Sequence, residues 1–123
     1  MEKRFLNKPG EFDYDFKNDI LLFKVKEREY SHSIELNRLV IDIDKENFVV
    51  AIQIIGASEM FNLSKEELRR IKDFHMKCNV ENRVIEINVG FNILFRNKLI
   101  EKNPIIFERV KEDIPNSRIL CQI

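Results

Sequence analysis

The chain is poor in residues that open or bend a backbone: of 123 residues, three are Gly, three are Pro, two are Ala, and Trp is absent. So little Ala argues against a helical bundle, since Ala is the best helix former. With Gly and Pro this scarce, no flexible linker divides the chain. Cysteine is scarce as well. Cys78 and Cys121 belong to no CxxC pair, and His32 and His75 are equally isolated, so neither a disulfide framework nor a zinc site finds closely spaced ligands. Both thiols are expected to be free and buried. No apolar run approaches the roughly 20 residues that span a bilayer, and the basic start Met1–Arg4 leads into no signal-type stretch. A cytoplasmic protein is expected. Neither sign of charge is in excess, because 21 Lys and Arg balance 21 Asp and Glu. Nucleic acid is therefore not the partner this balance implies, as phosphate-binding proteins concentrate a basic excess. The balance hides an asymmetry: residues 1–63 carry net −3 and residues 64–123 net +3, which favours association of two copies.

What is abundant is Ile (17), Leu (10), Phe (10) and Val (8), a β-branched and aromatic bias that favours sheet. Period-two alternation predicts strands over Phe12–Phe16, Asp19–Lys26, Arg38–Asp44 and Phe48–Ile55, with a tight hairpin at Asp44–Asn47. Next, Leu63-Ser64-Lys65-Glu66-Glu67-Leu68 reads as a helix start. Ser64 and Glu67 form a capping box, and Leu63 and Leu68 a hydrophobic staple. Leu68, Ile71, Phe74 and His75 then continue at helical spacing. Alternation returns at Met76, Cys78 and Val80, breaks at Asn82-Arg83, and runs unbroken from Ile85 to Phe95, where Gly90 suggests a bulge or bend. Residues 105–110 and 118–123 read as later strands. The expected fold class is α+β, a single domain over 1–123. An antiparallel β-meander over 12–61 is covered by one main α-helix at 64–76, and further antiparallel strands occupy 77–123.

Taken together, Tyr14-Asp15 and Asp19-Ile20-Leu21, Ser33-Ile34-Glu35-Leu36, Val40-Ile41-Asp42-Ile43-Asp44, and Val49 to Ser58 resemble the family DUF2283 over about residues 12–61. Its pattern is YDxxxDxLY followed by VDxDxxGxVVGIEILxAS. The resemblance implies a small prokaryotic protein of unknown function with an interaction role. This chain departs from the pattern at Asn47, where Gly is usual, at Ala51, again for Gly, and at Gln53, where Glu is usual. Asn47 still tolerates a left-handed turn. Gln53 removes any role that requires a carboxylate.

Candidate chemistry is sparse. Asp13, Asp15 and Asp19 are the candidate ligands for a hard cation, with Asp42 and Asp44 able to join them if their strands are neighbours. Tyr30-Ser31-His32-Ser33 places hydroxyls beside an imidazole, but neighbours on a strand point opposite ways, so no nucleophile is activated. Gly56-Ala57-Ser58 offers backbone N–H groups to an anion without a P-loop or dinucleotide fingerprint. Arg69, Arg70, Lys72, Arg96 and Lys98 are the candidate phosphate contacts. No catalytic residue and no cofactor are implied. The leading expectation is a non-catalytic module acting through a homodimer or a small protein partner. Weak RNA or DNA binding and metal-dependent hydrolysis on the Asp cluster are the alternatives.

Overall fold

The alternating segments form ten strands in the computed structural model, which describes residues 4–122. They are β1 (Arg4–Asp15), β2 (Ile20–Val25), β3 (Tyr30–Leu36), β4 (Leu39–Asp44) and β5 (Val49–Ile55), then helices α1 (Ala57–Phe61) and α2 (Lys65–Leu68). After the helices come β6 (Ile71–Glu81), β7 (Val84–Phe95), β8 (Lys98–Lys102), β9 (Ile105–Arg109) and β10 (Ser117–Gln122). The sheet order is β3-β4-β5-β2-β1-β10-β6-β7-β8, with β9 also on β7. Neighbours are antiparallel except β1 and β10, which run parallel.

β1 joins the two halves of this sheet. Arg4–Pro9 pair with β10, whereas Gly10–Asp15 pair with β2. The switch falls on a glycine for a steric reason: a Cβ at Gly10 would lie 2.1 Å from Cys121 Sγ. Either side of that point the apolar faces turn towards each other. Phe23 of β2 stacks on Phe74 of β6 with ring centroids 4.5 Å apart, and Phe74 also meets Phe12 and Phe91. Buried residues of both halves form one cluster. Each such large side chain contributes about 1.5–3 kcal/mol on leaving water.

The α+β expectation is therefore overturned: the chain is mostly β, and no main helix covers the sheet. The start signals of the expected 64–76 helix hold. Glu67 N–H donates to Ser64 Oγ (3.1 Å), Ser64 N–H donates to Glu67 Oε1 (2.9 Å), and Leu63 and Leu68 are buried. Yet the helix stops at Leu68. The step from Ile71 to Phe74 is a strand carrying one extra residue, which mimics helical spacing. Asp73 has φ 53°, the β6–β7 register shifts between Lys72 and His75, and Asn92 Nδ2 donates to Asp73 Oδ2 at 3.1 Å. Beyond that bulge Phe74, Met76, Cys78 and Val80 are buried at period two, while His75 is exposed. An opposed sheet, not a helix, supplies the cover.

The meander is corrected too. The segment expected to hold four strands has an additional one, β3, and β2 pairs with β5 rather than with its successor, giving a Greek-key order. Gly90 opposes His75, the pair at which the β6–β7 register shift ends, so it flanks the bulge, whose extra residue lies on β6. It also clears room for the His75 ring, whose Nε2 would lie 2.1 Å from a Cβ there.

Candidate functional site

The residues carrying the family resemblance converge where β1 turns into β2. Asp15 fastens that turn by accepting Asn18 N–H (3.1 Å) and Asn18 Nδ2 (2.8 Å). The chain then passes through Asp19 at φ 55°, a left-handed conformation that Asp tolerates. The Asp19 carbonyl accepts the N–H groups of Gly56 (2.9 Å) and Ala57 (3.1 Å). Its carboxylate accepts Tyr14 Oη–H (2.6 Å), Ser58 Oγ–H (2.6 Å) and Ser58 N–H (3.1 Å). Burial works to raise the Asp19 carboxyl, but the hydrogen bonds from Ser58 and Tyr14 outweigh it and hold the group below the ordinary carboxylate range. Burial, then the Asp19 hydrogen bond, pushes the Tyr14 phenol above its ordinary value. At neutral pH the acid stays charged and the phenol stays protonated. General acid–base work needs a group poised near the working pH, and this pair is locked away from it. The Gly56-Ala57-Ser58 turn is filled by Asp19: Gly56 and Ala57 N–H hold its neutral backbone carbonyl, and of the three only Ser58 binds its carboxylate.

A second carboxylate closes the β4–β5 hairpin. Asp44 is 5% exposed and accepts Glu46 N–H (2.9 Å), Phe48 N–H (3.0 Å) and Arg28 Nε–H (2.9 Å). Arg28 belongs to the loop that carries the chain from β2 to β3. Asn47 is left-handed, φ 65°, as its place in the pattern requires. Arg4 donates to the carbonyls of Glu46 and Asn47 and lies over the Phe48 ring at 4.3 Å.

The Asp candidates are not brought together. Asp13 is exposed, while Asp15 and Asp19 serve their own turns. Asp42 accepts Ser33 Oγ–H at 2.6 Å on β4, which β2 and β5 separate from β1, a distance of about 14 Å at ordinary strand spacing. Among the described residues no group of three His, Cys, Asp or Glu could hold a metal ion. A cleft beside the β2–β3 loop is lined by Lys24, Arg28, Tyr30, Asp44, Lys45 and Glu46, but its buried acid is the one bound to the hairpin. His32 lies 3.8 Å from Glu112 on the exposed β3 edge. Cys78 and Cys121 are free and buried, and burial raises their thiols to about 12 and about 11.

The basic candidates do share a neighbourhood. Arg69 and Arg70 lead into β6, Lys72 opposes Asn92, Arg96 forms the β7–β8 turn, and Lys98 opposes Phe95, all at one end of β6–β7–β8. Sequence reasoning missed Phe16. Its ring is 39% exposed, with Lys65 Nζ at 4.9 Å and the Arg69 guanidinium at 4.8 Å. It missed Ser58 and Arg28 as carboxylate partners as well: Ser58 stood in the family pattern without a partner, and Arg28 carried no signal.

Comparison with known proteins adds the following. The profile of the family described as "Protein of unknown function (DUF2283)" matches residues 11–58, which run from β1 through β5 into α1. A Methanosarcina mazei protein named "Putative hypoxanthine phosphoribosyltransferase" is 38% identical over 91 residues, 74% of this chain and 74% of that protein. An uncharacterised protein of Methanocaldococcus jannaschii is 30% identical over 95 residues, 76% of this chain and 82% of its own length. No solved structure matches. Among the described residues no helix is long and apolar enough to cross a membrane. With the Tyr14, Asp19 and Gly56-Ala57-Ser58 signature joined in one cluster and relatives spanning most of their length, the chain belongs to the DUF2283 family, whose function is unknown.

Proposed function

We propose that this protein acts without catalysis, as a module that associates with itself through an open edge of its sheet. One observation carries the reading. On the β8–β9 side Leu99, Ile105 and Phe107 are each more than half exposed, at 62%, 54% and 61%. Large apolar side chains along an unpaired strand are a surface that proteins normally cover. The other edge, β3, is more polar: Tyr30 is exposed at its start, but Ser31, His32, Ser33 and Glu35 make up the rest of its exposed side chains. Of the candidate acids, Asp15, Asp19 and Asp44 are already bound within turns and Asp42 to Ser33, which supports association over reaction. Purine phosphoribosyl transfer, the name borne by the Methanosarcina relative, finds no support in this geometry. Phosphate capture relies on free backbone N–H groups at a turn, and those of Gly56, Ala57 and Ser58 are taken by Asp19.

Sedimentation velocity from about 1 to about 100 µM tests the reading, the top being about 1,000-fold above the dissociation constant of even the weaker standard-sized antibody–antigen interfaces. A rise above the 14.8 kDa monomer is expected; a monomer throughout defeats it. A second reading is favoured by the exposed Phe16 ring between Lys65 and Arg69: a platform on which a base of single-stranded RNA or DNA stacks while the cations meet phosphate. It expects binding that falls steeply with salt and weakens in Phe16→Ala and Arg69→Ala. Titration with an oligonucleotide at low ionic strength decides it, and no signal there ends it.

A further inference from the structure

The β8–β9 edge has a register of its own, from which the partner follows if self-association holds. Phe95 opposes Lys98 and Val84 opposes Arg109, with no residue gained or lost between, so β8 and β9 are one strand over 98–109 interrupted at Pro104. Pro104 O accepts Val89 N–H (3.0 Å), and Val110 N–H donates to Arg83 O (2.9 Å). In an antiparallel ladder the groups that bond to one neighbour alternate with those that face the other way. The even-numbered residues therefore bond towards β7. Leu99, Glu101, Asn103, Ile105, Phe107 and Arg109 turn their N–H and C=O groups outward, and their side chains are exposed as well. Proline guards an edge when its missing N–H lies on the open side. Pro104 lies in the inward set, so the edge is unguarded.

We propose that a second copy of this chain pairs with the strand 98–109 in antiparallel fashion, with the two-fold axis at Asn103. That register puts Leu99 opposite Phe107 of the second copy, Ile100 opposite Ile106, and Lys98 opposite Glu108, each contact occurring twice. Outward backbone groups meet outward groups, and no like charges are opposed. Shifting the axis to Ile105 brings Glu101 opposite Arg109 and Lys102 opposite Glu108. It also leaves Phe107 against Asn103 and Leu99 beyond the paired segment. Exposed ion pairs contribute little, because water and salt screen them, and less than covering two large apolar side chains, so the apolar match decides. An axis at Phe107 sets Ile105 against Arg109 and is worse on both counts.

The test uses the full chain in sedimentation velocity, with melting curves to confirm that each variant folds. Phe107→Lys and Leu99→Lys are each expected to weaken the dimer about ten-fold or more. Lys98→Glu weakens it by placing two acids together, and the double variant Lys98→Glu with Glu108→Lys restores it. Asn103→Cys is captured as a dimer by a short bis-maleimide, while Tyr30→Cys on the opposite edge is not. A dimer indifferent to Phe107→Lys and Leu99→Lys overturns this interface but leaves self-association standing. A dimer weakened by those two variants, yet neither restored by the charge exchange nor captured through Asn103→Cys, overturns the register. A wild-type chain that stays monomeric overturns both this inference and the function it rests on.

Discussion

The β2–β5 half and the β6–β9 half close their turns by different means. In the first, turns are held by side chains from elsewhere in the chain: Asp19 binds Ser58, Asp44 binds Arg28, and Arg4 reaches the carbonyls of Glu46 and Asn47. In the second, the hairpins at Asn82-Arg83 and Arg96-Asn97 have φ of 50° and 65°, and of 52° and 62°. These are two-residue loops whose twist matches the flanking strands, and at the first of them Asn116 Oδ1 also accepts Asn82 N–H (3.1 Å). The difference teaches where polarity is used. The first half fastens its turns with carboxylates, Asp19 and Asp44, and ends in a largely polar edge. The second fastens its Asn82-Arg83 turn with a neutral amide, Asn116, and leaves an apolar edge open.

The contrast can be broken at its common point first. Phe74 is 1% exposed and stacks on Phe12, Phe23 and Phe91 across both halves. Phe74→Ala should cost about 3–5 kcal/mol in urea unfolding and loosen the halves together. Next comes Asp19→Ala, which orphans Tyr14 and Ser58 and strains a left-handed residue. About 2–4 kcal/mol is expected, with no loss of the β8–β9 dimer. Asp19→Asn keeps the backbone tolerance and sharpens the point through pH. The Asp19 carboxyl is held below its ordinary value in the folded chain. Its contribution is therefore full above the unfolded carboxylate range near pH ~4 and is lost as pH falls through the lower folded value. Melting temperature against pH should drop less steeply in acid for Asp19→Asn than for wild type. Asn97→Ala, which puts a side chain without a polar group at a left-handed position (φ 62°) of the β7–β8 turn, should cost only about 1–2 kcal/mol. Phe107→Lys should move the stability of the monomer by no more than about 0.5 kcal/mol while weakening association about ten-fold or more.

Much of the strand pattern was legible, because a buried face imposes period two on residues adjacent in sequence. Leu21, Phe23 and Val25, then Leu39, Ile41 and Ile43, then Ile85 to Ile93 needed nothing more. The main error has an equally local cause. One bulged residue at Asp73 turns a step of two into a step of three, and Ile71 and Phe74 then read as a helix. β3 and β8 escaped notice because an edge strand has one unpaired side and a polar or mixed face, so Tyr30-Ser31-His32-Ser33 and Lys98-Leu99-Ile100-Glu101-Lys102 carry no alternation. The cluster around Asp19 was half legible. The family pattern named Tyr14, Asp19 and Ser58, but nothing in it said that they touch.

By itself the sequence determined which residues seek burial, where the hairpins turn and how α2 begins, since each of these is settled by neighbours within a few positions. Strand order, the parallel pairing of β1 with β10, the bond from Asp19 to Ser58 and the alignment of β8 with β9 on a single edge were decided only by the tertiary structure. They join segments far apart along the chain, whose meeting depends on which apolar faces pack together and not on any local preference.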